Sequence, residues 1–187
     1  MLARLLAARS AALEHDTNVV AMLAERTGNR LGLSSGEAER IKVAAELHDV
    51  GKAAVPDAIL EKPGELDEQE WQFIRRHTVI GERIVRAAPS LAHAADLVRS
   101  HHERLDGSGY PDGLRGDDIP IGARIIGACD AFAAMISERS YRPAFSVDDA
   151  LAELRAAAAQ FDPAVVHTLT AVVAEGAAAG ASPAGAA

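Results

Sequence analysis

Residues 34–52 read SSGEAERIKVAAELHDVGK, and this stretch decides the fold. Its first serine and Glu37 form a capping-box pattern, which predicts the N-terminus of a helix. Three apolar residues then share one helical face with His48: Ile41, Ala44 and Ala45. The helix is therefore expected to point His48 inward. Gly51 is expected to end the helix as its C-cap, so the pair His48-Asp49 should lie at a buried helix end.

Helical signals continue on both sides of this stretch. Apolar residues recur at helical spacing over residues 2–31, and one face after Asp67 is expected to carry Trp71, Ile74 and His77. Capping residues or a first-turn proline mark four further helix starts: Asp67, Pro120, Ser146 and Asp162-Pro163. No segment of useful length alternates between apolar and polar residues, as a strand would. The sequence predicts an all-α bundle of six to eight helices.

Composition limits the class of protein. The chain has 187 residues, of which 49% are hydrophobic and only 4% aromatic, and this favours closely packed helices in one domain. We place that domain at residues 1–175 and a disordered tail of Gly, Ala, Ser and Pro at residues 176–187. The net charge of −8 argues against a nucleic-acid polymer as partner.

Location is predicted from cysteine and hydropathy. Cys129 is the single cysteine, and it falls in an apolar helical stretch, so we expect inert core packing and no disulfide framework. No stretch reaches the roughly 18 apolar residues of a membrane span, and we therefore expect no membrane insertion. These features favour a cytoplasmic protein.

Chemistry is carried by a set of imidazole and carboxylate side chains. The candidates for one metal site are His15, His48, Asp49, His77, His101, His102 and Asp130, whereas His93 and His167 fall outside the pattern. A single buried histidine is more often a hydrogen-bonded core residue, and His48-Asp49 alone would also fit a helix-end salt bridge. The whole set instead suits borderline divalent metals and has too many ligands for one ion. Two metals about 3.5–4 Å apart commonly hydrolyse phosphate esters, so the set predicts a phosphohydrolase.

Two strings resemble a known family. HDVGK at residues 48–52 and HHERLDGSGYP at residues 101–111 are similar to the signatures of HD-GYP domains, a bacterial subgroup of the HD phosphohydrolase superfamily. The likeness covers nearly the whole chain apart from the tail. It implies a helical bundle of the HD-domain type with a Gly/Pro-rich loop at residues 106–116, which we call the GYP loop.

The resemblance implies an activity and a ligand arrangement. Family members hydrolyse cyclic di-GMP, so this chain is expected to yield linear pGpG through a hydroxide activated by two divalent metals. Iron or manganese fits the ligand set best, and nickel, cobalt and zinc stay open. By analogy with simpler HD enzymes, the ligands of one ion would be His15, His48, Asp49 and Asp130. The ligands of the other would be Asp49, His77, His101 and His102.

Substrate contacts are also implied by the resemblance. Asp49, as the bridge between metals, and Lys52, near the scissile phosphate, are the expected catalytic residues, although Lys52 would also fit a helix end stabilised by the dipole. Arg139 and Arg142 match phosphate-contacting positions; without the family they would be a solvated helix end. Gly109-Tyr110-Pro111 would line the entrance, with Tyr110 able to stack on guanine. In the family the same loop is linked to docking on diguanylate cyclase domains.

Two departures from the family pattern leave alternatives open. Ala11 occupies the position of a glutamate that holds a third metal in some members, so a two-metal site is expected. Ala133 replaces a frequent aspartate and could weaken activity. The alternatives are an HD phosphohydrolase of another nucleotide or cyclic dinucleotide, and a regulatory module that binds cyclic di-GMP or a cyclase without turnover. The oligomeric state is not predicted.

Overall fold

A computed structural model describes the backbone of residues 11–60, 62, 64–138 and 143–180, and the side chains from residue 17 to residue 177 of these ranges. The described part contains eight α-helices of six residues or more: α1 (Ala11–Arg30), α2 (Ser35–Leu47), α3 (Glu68–Arg75), α4 (His77–Arg86), α5 (Ala95–Ser100), α6 (Ile121–Ile136), α7 (Val147–Ala156) and α8 (Pro163–Gly180). Shorter helical turns are Val50–Ala54, Asp57–Leu60, Ala92–Ala94 and Gly116–Asp118. These ranges include no strand, and the all-α prediction is confirmed.

The predicted caps begin the helices. Ser34 is the N-cap of α2, where the backbone N of Glu37 donates to its hydroxyl over 3.3 Å and the Glu37 carboxylate accepts from its backbone N. Asp67 forms the same reciprocal arrangement at α3, and Ser146 caps α7. Pro120 is the N-cap of α6 and not a first-turn residue, so that boundary was predicted one residue early. Each cap satisfies backbone donors that the helix itself leaves unpaired.

The core lies where α1, α2 and α6 pack together, with α7 and α8 covering α6. It is built from aliphatic side chains that exclude water, including the fully buried Ile125, Ile126 and Leu169. Burying each such side chain stabilises the fold by about 1.5–3 kcal/mol. Cys129 is also fully buried, as predicted, and burial raises the pKa of its thiol to about 12. Contact between α2 and α6 places the functional side chains described below.

Two expectations about helices differ from the structure. The face that was expected to run from Trp71 to His77 is divided between two helices, because the helix is interrupted at Arg76, between α3 and α4. Trp71 is 43% exposed and does not share the burial of His77. The final helix α8 continues through Gly180, so the first five residues assigned to the tail are helical. Residues 181–187 lie outside the described residues.

Among the residues described, no helix is both long enough and apolar enough to cross a membrane.

Candidate metal centre

The candidate ligands come together where helix ends meet. His48 is the C-cap of α2, His77 is the first residue of α4, and His101 is the C-cap of α5. Asp49 follows His48 directly, and Asp130 projects from α6. The His48 Nε2 lies 3.5 Å from Asp49 Oδ2 and 3.6 Å from Asp130 Oδ1. Residues far apart in the sequence therefore form one cluster.

The approach of α4 depends on Gly51. A Cβ on this residue would overlap the carbonyl oxygen of His77 and would lie 2.6 Å from the backbone N of Gly81. The prediction that Gly51 is a C-cap was wrong, because α2 ends at Leu47 and Gly51 lies in the turn Val50–Ala54. Its missing side chain serves close helix packing, which brings His77 beside Asp49.

Three histidines are held in the same tautomer. The Nδ1 of His48 lies 2.6 Å from the Ala45 carbonyl oxygen. The Nδ1 of His77 lies 2.6 Å from that of Ile74, and the Nδ1 of His101 lies 2.7 Å from that of Val98. A carbonyl oxygen only accepts, so each Nδ1 carries the hydrogen in its neutral form and each Nε2 presents a lone pair. A hydrogen bond from Nδ1 to a backbone carbonyl oxygen fixes the orientation of an imidazole, as it does for histidines that bind metal ions.

The lone pairs converge on the same buried space. The Nε2 atoms of His77 and His101 are 3.4 Å apart, although neither carries a hydrogen to share in that tautomer. Asp49 Oδ1 lies 3.6 Å from His77 Nε2 and has no hydrogen-bond partner despite its burial. Several acceptors facing one another without a donor is costly unless a cation lies between them. The donor set therefore fits a metal ion.

Electrostatics in the cluster also favour a cation. Burial lowers the pKa of His101 to about 3 and also lowers the pKa of His77, which keeps both imidazoles neutral. Burial alone would lower the pKa of His48, but the carboxylates of Asp49 and Asp130 outweigh it and raise that pKa to about 9. The pKa of Asp49 is lowered, because Lys52 and the neighbouring histidines outweigh its burial. Two ionised carboxylates thus favour positive charge at this position.

Two triads within the described residues have ligand atoms that all lie within 4.8 Å of one another. One consists of His77, His101 and His102, and the other consists of His48, Asp49 and His101. His101 belongs to both, so the predicted division of ligands between two ions stays a prediction. His93 and His167, which the sequence left out of the set, are exposed and join neither triad.

Three predicted residues are not placed by these contacts. His15 lies in α1, but its side chain is outside the described residues. Arg139 and Arg142 both fall within residues 139–142, which lie outside the described residues as well. Lys52 is placed, with Nζ 2.7 Å from Asp49 Oδ2. The first ligand and the two phosphate contacts therefore stay predictions.

The GYP loop lies against the histidines. The ring of Tyr110 stacks on that of His102, with centroids 4.8 Å apart and planes tilted by 31°. Gly109 permits this approach, since a Cβ there would lie 2.5 Å from the His102 carbonyl oxygen. The peptide bond between Tyr110 and Pro111 is cis. The loop thus forms a wall of the cluster, and its role as the substrate entrance stays a prediction.

The role of Glu103, which hydrogen-bonds the backbone of the GYP loop, was not predicted from the sequence. Glu103 is 5% exposed, and its two carboxylate oxygens accept the backbone N–H groups of Asp112 at 2.7 Å and Leu114 at 3.0 Å. A glutamate directly after two adjacent histidines and before a glycine-rich loop was the available signal. Its carboxylate replaces the backbone partners that an irregular loop otherwise lacks.

Comparison with known proteins gives the family. A family model described as HD domain matches residues 1–165. The chain is 44% identical over 163 residues to "Cyclic di-GMP phosphodiesterase response regulator RpfG" of Xanthomonas campestris pv. campestris, covering 86% of this chain and 42% of that protein. It is 41% identical over 171 residues to "3'3'-cGAMP-specific phosphodiesterase 2" of Vibrio cholerae, covering 90% of this chain and 33% of that protein. The chain thus spans less than half the length of these curated relatives.

Structural similarity agrees with the sequence match. The fold resembles Bd1817, an HDG"Y"P protein from Bdellovibrio bacteriovorus, with a TM-score of 0.70 and 18% identity over 86% of this chain and 52% of that chain. At that identity the match shows the fold alone. The family model and the identity to relatives over most of the chain carry the assignment. The chain belongs to the HD domain family, and its two signature strings place it in the HD-GYP group of that family.

Proposed function

We propose that this domain is a metal-dependent phosphodiesterase that hydrolyses cyclic di-GMP to linear pGpG. One observation carries the proposal: the imidazole Nε2 atoms and the partnerless Asp49 Oδ1 converge on one buried space beside an aromatic wall. The names of two relatives, which refer to cyclic di-GMP and to 3'3'-cGAMP, support a cyclic dinucleotide as the substrate class.

The metal site of the proposal comprises seven residues. They are His15, His48, Asp49, His77, His101, His102 and Asp130, with iron or manganese as the preferred metal. Bound metals would supply Lewis acidity toward the phosphodiester and would lower the pKa of water. The chain's own part is to keep His77 and His101 neutral, to fix the Nδ1–H groups of His48, His77 and His101 on backbone carbonyls, and to exclude bulk water by burying these three side chains.

Lys52 and Asp49 have coupled roles in the proposal. The Lys52 ammonium contacts Asp49 Oδ2 over 2.7 Å, which holds that oxygen and leaves Asp49 Oδ1 directed at the histidines. The Lys52 side chain is 23% exposed, so this lysine lies at the edge of the cluster and not in the core. An ammonium at this position is proposed to stabilise negative charge that develops on a phosphoryl oxygen.

Lys52→Met is expected to lower kcat by roughly 10²-fold, because it removes this charge while keeping the length of the side chain. Steady-state kinetics with cyclic di-GMP, together with metal analysis, check the result. Lys42→Met is the matched control, since Lys42 pairs with Glu25 at 3.1 Å outside the metal cluster. A kcat that equals the wild-type value in Lys52→Met would contradict the catalytic role.

Recognition of the substrate is assigned to the entrance. The ring of Tyr110 lies against that of His102 and is half-buried, and we assign it to stacking on a guanine of the substrate. Gly109 and Pro111 shape the same wall, and the phosphate contacts Arg139 and Arg142 complete the proposal. Docking of diguanylate cyclase domains on the GYP loop is a further proposed partnership.

The proposal includes a cytoplasmic location. Its support is Cys129, the single cysteine of the chain, which is buried as a free thiol.

The test is a substrate panel with product analysis. Metal-replete domain is incubated separately with cyclic di-GMP, 3'3'-cGAMP and a phosphate monoester, and pGpG is resolved from GMP. Accumulation of pGpG from cyclic di-GMP is the expected result. Faster turnover of 3'3'-cGAMP would support the second candidate, a cGAMP phosphodiesterase, which the relative at 41% identity favours.

A regulatory module remains the rival of a different class. Ala133 is 2% exposed and packs in the hydrophobic core, so no carboxylate occupies that position of α6. Tight binding of cyclic di-GMP by metal-replete domain without any hydrolysis would favour that rival. Abundant GMP would instead contradict the two-metal expectation from Ala11.

A further inference from the structure

Arg99, on α5, connects the GYP loop to α4. Its Nε and Nη2 donate to the two carboxylate oxygens of Asp112 in the GYP loop, each over 2.7 Å. Its Nη1 donates over 2.7 Å to Oε2 of Glu82 on α4. Bidentate guanidinium–carboxylate pairs fix both distance and orientation. One part-buried side chain therefore connects three segments of the fold.

These segments carry the residues that surround the candidate entrance. The helix α4 begins at His77, α5 ends beside His101 and His102, and the GYP loop contributes Tyr110. The Tyr110 ring lies 6.4 Å from that of His77 and 4.8 Å from that of His102, measured between centroids. The spacing of these rings depends on how firmly the loop is held against α4 and α5.

The inner contacts of the loop do not fix its position relative to α4. Glu103 accepts backbone N–H groups of Asp112 and Leu114, and the backbone N of Tyr110 donates to the His102 carbonyl oxygen over 3.2 Å. All of these contacts connect the loop to the segment that directly precedes it in sequence. The Asp112–Arg99–Glu82 connection is the charged link that reaches α4 among the described residues.

We propose that Arg99 is a positioning residue, which fixes Tyr110 over His102 by holding Asp112 and Glu82 together and thereby determines how tightly a cyclic dinucleotide binds. The substrate part of this inference rests on the proposed function. Arg99 itself acts through Tyr110, so its loss should weaken binding of the substrate more than it slows the chemical step.

The test compares Arg99→Met with Arg99→Lys and Arg86→Met. The methionine variant keeps the apolar stem and removes all donors. Lysine can pair with one carboxylate at a time, so Arg99→Lys should restore part of the connection between Asp112 and Glu82. Arg86→Met is the matched control, because Arg86 donates to the other oxygen of Glu82 over 2.7 Å and does not contact the loop.

Two measurements are made on the metal-replete domain. Amide exchange detected by NMR at Asp112 and Leu114 should become about tenfold faster in Arg99→Met, because a loop released from Arg99 opens more often and breaks the bonds from these amides to Glu103. KM for cyclic di-GMP should rise about tenfold, with kcat within about twofold and metal content unchanged. The exchange rates and KM of Arg99→Lys should lie between those of Arg99→Met and the wild type, and those of Arg86→Met should equal the wild-type values.

Each outcome decides the inference. Unchanged exchange at Asp112 and Leu114 in Arg99→Met would overturn it, and so would faster exchange with KM and kcat both as in the wild type. If the wild-type domain binds cyclic di-GMP without cleaving it, Kd from calorimetry replaces KM. A domain that neither binds nor cleaves it would reject the proposed function, and the exchange rates alone would then decide whether Arg99 positions the loop.

Discussion

Asp49→Asn is expected to remove bound metal and to lower hydrolysis of cyclic di-GMP by on the order of 10³-fold. Asparagine keeps the size of the side chain but removes the charge that lies next to His48, His77 and Lys52. A neutral amide would replace the carboxylate whose Oδ1 has no hydrogen-bond partner, and an amide is a poor metal ligand beside three imidazoles. Metal analysis and turnover of the purified variant check both parts of the expectation.

Asp96→Asn is the control for this substitution. Asp96 lies on α5 and pairs with Arg40 at 2.6 Å, but its side chain is 49% exposed and outside the metal cluster. The same chemical change there should leave turnover at the wild-type level and alter stability by less than about 0.5 kcal/mol. Equal activity of the Asp49→Asn variant and the Asp96→Asn control would mean that the buried cluster is not the reaction centre.

Gly51→Ala is expected to separate α4 from the turn Val50–Ala54 and so to disperse the ligands. The added methyl group would overlap the His77 carbonyl oxygen, which belongs to rigid backbone and cannot rotate away. Overpacking of this kind should destabilise the domain by roughly 3 kcal/mol. Because the shift moves His77 away from Asp49, metal content and turnover should fall together. Thermal unfolding and metal analysis of the variant test this expectation.

Gly36→Ala is the matched control within the same part of the chain. Gly36 lies in the first turn of α2, and a Cβ there would meet no atom within 4 Å. The substitution should raise stability by about 0.5 kcal/mol, because alanine is the better helix former, and should leave the metal content unchanged. A Gly51→Ala domain that binds metal as well as Gly36→Ala does would show that close packing of α4 is unnecessary.

The sequence predicted those parts of the fold that depend on local chemistry. The capping pairs at Ser34 and Asp67 predicted the starts of α2 and α3, because such caps satisfy backbone donors within three residues. Apolar periodicity likewise predicted α6 and the burial of Cys129. The break at Arg76, between Arg75 and His77, escaped prediction, since the apolar periodicity continues across it and Arg76 itself has helical backbone angles.

The site was predictable in composition but not in geometry. The seven candidate ligands could be named from their types and pattern, and the structure brings together the six whose side chains it describes. The role of Gly51 could not be read locally, because the atom that excludes a side chain belongs to His77, 26 positions away. The link between Arg99, Glu82 and Asp112 is tertiary in the same sense, since no local pattern marks charged residues as partners.

The central claim is that this cluster binds metal and that bound metal is required to cleave a cyclic dinucleotide. The most direct measurement purifies the domain without oxygen, counts metals per chain, and follows cyclic di-GMP before and after chelation and readdition of Mn²⁺ or Fe²⁺. We predict about two metals per chain, loss of pGpG formation on chelation, and its recovery on readdition. Full hydrolysis by metal-free domain, or no hydrolysis at two metals per chain, would contradict the claim.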